Sequence, residues 1–182
     1  MIIRLLFLPG MVLKDLLGGR DWQKRRQFVE WFAIIKLLTP IVLYISIKCG
    51  ADIRCPVICN IVFPVLLVYH LSDTVTYLLV LIVMADIQRP SANIIRSMIM
   101  MFINYLEVSM DMAFLYYLHH DRNILFREAV AFGLLGVQAE EEMAAIVDYT
   151  FLIADSGIKF FFASLVFGYF ASHMRQRRFR AD

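Results

Sequence analysis

The chain alternates between long apolar runs and shorter polar segments. The apolar runs cover residues 28–47, 57–84, 97–118 and 158–174. The hydrocarbon core of a membrane is about 30 Å thick and needs roughly 20 helical residues at about 1.5 Å each. Each run therefore has about the length of a membrane-spanning helix. The pattern predicts an all-α integral membrane protein, with a four-helix bundle that occupies residues 28–174.

Basic residues are concentrated at the two ends of the chain. The segment 1–27 contains six lysines and arginines, and the tail 175–182 contains four arginines. Cytoplasmic flanks of membrane helices carry the excess of basic residues. Both termini are therefore predicted to be cytoplasmic, at a plasma or inner membrane, and the acidic loop 119–156 to be extracellular. Because topology explains the basic ends, we expect the lipid bilayer and not nucleic acid to be their partner.

The segment 1–27 also has a helical pattern of its own. Leu13, Leu16 and Leu17 fall at helical spacing, and basic residues lie close to them. Such a segment suits the surface of an anionic cytoplasmic leaflet. We predict an interfacial N-terminal helix, with a disordered or protein-bound start as the alternative.

The first two apolar runs contain residues that affect helix shape. Lys36 is the only basic residue in the body of the first run, and its long aliphatic stem predicts that the ammonium reaches the headgroups instead of a buried site. The run 57–84 is longer than a straight crossing needs. We predict a tilted or kinked single crossing, with Pro64 as one cause of a kink and the polar run 69–74 as a candidate site of local unwinding. A re-entrant hairpin at 70–74 is the alternative.

Polar residues share one face of the third run. Asn104, Glu107 and Asp111 stand at i, i+3 and i+7, and His70 and Asp73 share a face of the second run. A charged side chain at the bilayer centre costs about 2.5 to 3.5 kcal/mol, so these groups should face protein or water. We expect the two polar faces to pack together.

Two functions are compatible with this polar seam. The first is a pathway in a channel-like protein or a component of cation or proton transport. The alternative is a non-catalytic subunit that binds another membrane protein through the seam, with the matching lysine or arginine supplied by that partner.

A short apolar segment interrupts the acidic loop. Residues 126–137 predict a helix that ends at Gly136 and is too short to span a membrane, and three acidic residues follow it, Glu140, Glu141 and Glu142. The order of segments resembles the pore module of the potassium-channel superfamily over residues 97–174. In that resemblance INYLEVSMDMAFLYYL is similar to the outer helix, FREAVAFGLLGV to the pore helix and GIKFFFASLVFGYFASHM to the inner helix.

The resemblance implies a homo-oligomer around a central axis, with Glu140, Glu141 and Glu142 at the pore mouth. The filter motif of that superfamily, in which backbone carbonyls replace the hydration shell of the ion, is absent. The chain instead continues through Leu135, Gly136, Val137 and Gln138. A degenerate channel-like protein of this kind is expected to lack potassium selectivity, with no conduction at all as the alternative.

Composition and motifs argue against other classes. Apolar residues make up 60% and charged residues 19% of the 182 residues, which leaves too little polar material to cover a soluble domain. The glycine-rich phosphate loop and the HExxH zinc motif are absent. We therefore expect no enzymatic activity, no cofactor and no metal site. Cys49 and Cys55 flank a short turn, where a small disulfide is an open alternative.

Overall fold

The computed structural model describes residues 22–83, 94–120, 122–136 and 145–178. Within these ranges the chain forms helices joined by short turns, and no strand occurs. The longer helices are α1 (Trp22–Ser46), α2 (Phe63–Val83), α3 (Ile94–His119), α4 (Phe126–Leu135) and α5 (Ala145–Arg178). The all-α prediction is confirmed for the described residues.

Three helical segments in the described ranges are long and apolar enough to cross a membrane. They are Gln27–Gly50, Ile58–Leu79 and Met98–His119. These segments coincide closely with the first three predicted runs. The fourth predicted run, 158–174, is helical throughout as part of α5, and its membrane crossing stays a prediction.

The connection between α1 and α2 is built from two π-helical turns. The first, Ile47–Ala51, kinks at Gly50, whose φ of 88° lies in the left-handed region that glycine adopts readily. A single α turn follows, and the second π-helical turn, Ile58–Val62, leads into α2. Cys49 and Cys55 are both exposed and not joined by a disulfide.

The second π-helical turn lies directly before Pro64, at the predicted kink. Proline lacks a backbone N–H, and its ring clashes with the carbonyl group four residues earlier. Regular α-helical geometry is therefore unfavourable before Pro64. The candidate unwinding at the polar run 69–74 does not occur, because α2 is continuous from Phe63 to Val83. A re-entrant hairpin is excluded for the same reason.

Contacts between side chains define the relative directions of the first three helices. Lys36 and Tyr44 of α1 contact Glu107 and Tyr117 of α3, respectively, so α1 and α3 run in the same direction. On α2, His70 lies beside Asp111 and Thr74 bonds Glu107, so α2 runs opposite to α3. This up-down-up order is the one that three successive membrane crossings require.

The short predicted helix is present as α4, which runs back along α3. Its start lies beside Tyr117, whose ring centroid is 5.8 Å from that of Phe126. Its Gly133 packs against Ala113 and Ser109, one and two turns earlier on α3. Gly136 ends the helix with a φ of 71°. At the other end, the Glu128 carboxylate accepts a hydrogen bond from the Leu125 N–H at 3.2 Å.

Residues 140–182 form a second compact unit, which contains α5. Within α5, Lys159 forms an ion pair with Asp155 one turn earlier. The helix begins at Ala145, so the end of the predicted extracellular loop is helical. The predicted interfacial helix in 1–27 falls almost wholly outside the described residues, as do Glu140, Glu141 and Glu142.

Candidate functional site

An ionic cluster lies between α1, α2 and α3, and Lys36 is at its centre. The Lys36 Nζ is 2.8 Å from the Glu107 Oε1 and 3.1 Å from the Asp73 Oδ2. It also donates a hydrogen bond of 2.6 Å to the Thr74 hydroxyl. Counting the His70 carbonyl oxygen at 3.5 Å, four oxygens of the two neighbouring helices lie within reach of its three protons.

The burial of Lys36 contradicts the prediction that its ammonium extends to the headgroups. Only 4% of Lys36 is exposed. Extension to the surface would separate the ammonium from Asp73 and Glu107 and leave two buried carboxylates without a counter-charge. Because that loss exceeds the gain in hydration of one ammonium, the lysine stays inside the bundle.

Hydrogen bonds around the lysine connect α2 to α3. The Thr74 hydroxyl accepts from Lys36 and donates to the Glu107 Oε1 at 2.6 Å. The Lys36 ammonium also makes a cation–π contact with the Phe32 ring, whose centroid lies 5.6 Å from Nζ. This part of the cluster is well satisfied.

Asp111 is different, because it is buried without a hydrogen bond. It is 0% exposed, and within the described structure neither carboxyl oxygen has a hydrogen-bond partner. The nearest basic group is the His70 Nδ1, 3.9 Å from the Asp111 Oδ2 and itself without a partner there. That distance is longer than a hydrogen bond.

Helical spacing explains how these residues meet. His70, Asp73 and Thr74 lie on one face of α2, and Glu107 and Asp111 lie one turn apart on α3. Since the two helices run in opposite directions, Asp73 and Thr74 fall beside Glu107, and His70 falls beside Asp111. Asn104 is buried on the same face of α3, one turn before Glu107.

The structure brings together four residues of the predicted polar seam, His70, Asp73, Glu107 and Asp111, and adds two others. The fifth, Asn104, is buried nearby. Lys36 and Thr74 were missed, although one basic residue in a neighbouring run was a signal that the carboxyls had a partner in the same chain. The alternative function placed the matching cation on another subunit, whereas α1 supplies one for Asp73 and Glu107. The three predicted mouth residues, Glu140, Glu141 and Glu142, lie outside the described residues.

The cluster contains more acidic than basic groups. Asp73, Glu107 and Asp111 provide three carboxyls, against one lysine and one histidine. Among the described residues no three His, Cys, Asp or Glu side chains are placed to hold a metal ion. Carboxyl and imidazole groups of this kind can bind and release protons.

No family model, no curated protein and no solved structure matches this chain. Functional conclusions therefore depend on the geometry of the cluster.

Proposed function

We propose that this chain is a membrane-embedded component of proton or cation transport, and that the ionic cluster between α1, α2 and α3 is part of its pathway. The observation that supports this proposal is the inverted polarity of the helices. Charged groups of α1, α2 and α3 lie inside, while many large apolar side chains of these helices are exposed. Buried ionisable groups in membrane helices line ion and proton pathways or pair with one another.

The first helix shows the inversion most clearly. Its exposed face consists of large apolar residues at helical spacing: Trp31, Ile35, Leu38, Val42 and Ile45. The opposite face carries Lys36, which is buried. A soluble protein would place these residues the other way round. Contact of the exposed face with lipid accounts for both observations.

Transport is favoured over a purely structural seam by Asp111. Side chains that only fix the packing of helices are satisfied by hydrogen bonds, as Lys36, Thr74 and Glu107 are. Asp111 has no such bond in the described structure and has no exposed surface to offer a partner subunit. Its burial suits a group that receives a mobile ion and disfavours a docking surface.

The resemblance to a pore module supports a channel-like form of this transport. In it, copies of the chain surround an axis, and α4 lies beside that axis. The position of α4 along α3 supports this form. Without the filter motif, we expect conduction to be weakly selective among cations. The mass of the purified complex in detergent tests the channel-like form. An axial pore requires an oligomer, so a monomer would contradict it.

The proposal is tested by the double variant Glu107→Gln with Asp111→Asn. Amides keep the shape and the hydrogen-bonding capacity of carboxyls but carry no negative charge. We expect the purified chain in liposomes to lose its flux of protons or monovalent cations, measured with enclosed fluorescent indicators. Expression and assembly should be unchanged.

Asp155→Asn is the matched control, because it makes the same chemical change on α5 and should retain the flux. Equal flux in the double variant and the native chain would refute the transport function. Loss of a co-purified membrane protein, with no flux in the native chain, would favour the alternative of a non-catalytic subunit.

A further inference from the structure

We infer that the mobile ion of this cluster is a proton, that Asp111 is the carboxyl that binds it, and that His70 exchanges it. Lys36 with Asp73 and Glu107 forms the fixed ion-paired part of the cluster. This inference depends on the proposed function for its role in transport, but its chemistry is tested separately.

The isolation of Asp111 is the first step. Burying a carboxylate that has neither hydrogen bonds nor a paired cation costs much more free energy than burying one that has both. Asp111 is 0% exposed, and both of its oxygens lack a partner among the described residues. A carboxyl in this position is neutral when it carries a proton, so protonation removes the unfavourable charge.

The neighbouring carboxyls are the second step, because they are not equivalent to Asp111. Glu107 accepts a hydrogen bond from Thr74 and contacts the Lys36 ammonium at 2.8 Å. Asp73 accepts a bond from the same ammonium at 3.1 Å. Both carboxylates are thus paired with the Lys36 ammonium, whereas Asp111 has no hydrogen-bond partner in the described structure.

The position of His70 is the third step. Its Nδ1 is 3.9 Å from the Asp111 Oδ2, and a closure of about 1 Å gives a hydrogen bond. In the exchange, the N–H bond of an imidazolium breaks and an O–H bond forms on the Asp111 carboxylate. The products are a neutral imidazole and a neutral carboxylic acid, so charge and protons balance.

Charged groups around Asp111 come from each helix packed on this face of α3. Among the described residues they include Lys36 of α1, His70 and Asp73 of α2, and Glu107 of α3 itself. The charged residues of α4, Arg127 and Glu128, lie in the first turn of that helix. The part of α4 that packs against Ser109 and Ala113 of α3 is Gly133, which carries no charge.

A proton is favoured over a metal cation because the ligands are few. Hard cations need several oxygen ligands. In the described structure His70 offers Asp111 one imidazole nitrogen at 3.9 Å, and the neighbouring carboxylates Asp73 and Glu107 are already paired with Lys36.

A hydrophobic carbodiimide provides the test, because it modifies protonated carboxyls in apolar surroundings. The full-length chain in liposomes is treated over a range of pH, digested and mapped by mass spectrometry. We expect the label at Asp111, with loss of labelling as the pH rises. We expect none at Asp73 or Glu107. Absence of label at Asp111 at acidic pH, with label elsewhere in the bundle, would overturn the inference.

Variants separate the parts of the inference. Lys36→Met should allow labelling of Glu107, because that carboxylate loses its counter-charge. His70→Gln should shift the pH at which labelling of Asp111 is lost, and an unchanged profile would overturn the role of His70. Protection of Asp111 by sodium or potassium at constant pH would assign the site to a metal cation and overturn the proton assignment.

The inference and the proposed function fail in different ways. A labelled Asp111 in a chain without flux supports the proton site and refutes transport. An unlabelled Asp111 in a chain that transports ions overturns the proton site and leaves transport standing.

Discussion

Lys36 connects three helices through one ammonium group. Its partners are Asp73 and Thr74 on α2 and Glu107 on α3, and all four residues are buried. An ion pair of this kind is not evidence of added stability by itself, because desolvation opposes the attraction. Removing only one partner is nevertheless costly, since the charges that remain are buried without compensation.

Replacement of Lys36 by methionine should therefore destabilise the bundle by about 3 to 5 kcal/mol. Unfolding by denaturant in mixed micelles measures this change. Adding Asp73→Asn and Glu107→Gln to the same chain should recover much of the loss, because the carboxylates left without a counter-charge are removed. Lys48→Met is the control, since Lys48 is exposed. A loss that the added substitutions do not reduce would contradict the ion-paired cluster.

Residue chemistry within one helix could be predicted from the sequence, but pairing between helices could not. The face formed by Asn104, Glu107 and Asp111 follows from helical spacing alone. The role of Lys36 depends on which helices lie beside it. From its own helix alone, Lys36 could be placed only at the surface or in a buried site without partners. The same restriction concealed Thr74, whose hydroxyl is informative only once Lys36 and Glu107 are beside it.

At the scale of elements, the contact between α3 and α4 depends on small residues. A Cβ at Gly133 would lie 2.3 Å from the Ser109 carbonyl oxygen and 2.8 Å from the Ala113 Cβ. The two backbones approach closely because neither side presents a large side chain. Close contacts of this kind stabilise helix pairs in membranes through van der Waals packing.

Gly133→Ala should therefore loosen α4 from α3, with a loss of about 1 to 3 kcal/mol in the free energy of unfolding, as for other overpacked sites. Gly157→Ala is the matched control, because nothing lies within 4 Å of the Cβ added there. That control should leave stability unchanged or raise it slightly, since alanine favours helix over glycine. Thermal unfolding in detergent compares them, and equal behaviour of the two variants would contradict the close packing at Gly133.

Element boundaries followed the sequence where the signal was local. The short helix was predicted to end at Gly136, and α4 does so because glycine adopts the left-handed conformation there. The interior of α2 was predicted wrongly, because a polar run was interpreted as a break. His70, Asp73 and Thr74 instead stay helical, since α1 and α3 supply partners for their side chains.

At the scale of the whole molecule, helix directions place the turns. Since α1 and α3 run together and α2 runs opposite, the turn after α1 and the turn after α3 lie at the same end. Arg122 confirms this arrangement through its hydrogen bond to Asn60 at the start of the second span. The basic start of α1 lies at the opposite end.

Single cysteines test this topology in a chain without the three native ones. Cysteines at Ile53 and Asn123, both exposed, should react with an impermeant maleimide in intact cells, because the basic ends predict a cytoplasmic start of α1. A cysteine at Lys24 should react only after permeabilisation. Opposite labelling of Ile53 and Asn123 would refute the helix directions, and labelling of Lys24 in intact cells would refute the orientation.

The fourth predicted crossing is tested in the same way. A cysteine at Gln176 should react only after permeabilisation if the run 158–174 crosses the membrane. Sequence alone predicted three spans well because length and hydropathy are local properties. A crossing by α5 is harder to infer, because its helix extends from Ala145 to Arg178 and contains charged residues.

The partners of Lys36 are made later in synthesis than the lysine itself, and this order has a consequence for biogenesis. Asp73 follows Lys36 by 37 residues, and Glu107 comes after a further connection. When α1 first meets the insertion machinery, its ammonium has no counter-charge, and insertion of a central lysine costs about 2.5 to 3.5 kcal/mol. A nascent chain that ends after α1 should therefore insert poorly, Lys36→Leu should restore its insertion, and extension through α3 should do the same for the native sequence. Glycosylation tags on truncated chains in microsomes measure the insertion efficiency. Efficient insertion of native α1 alone would show that its insertion does not depend on Asp73 and Glu107.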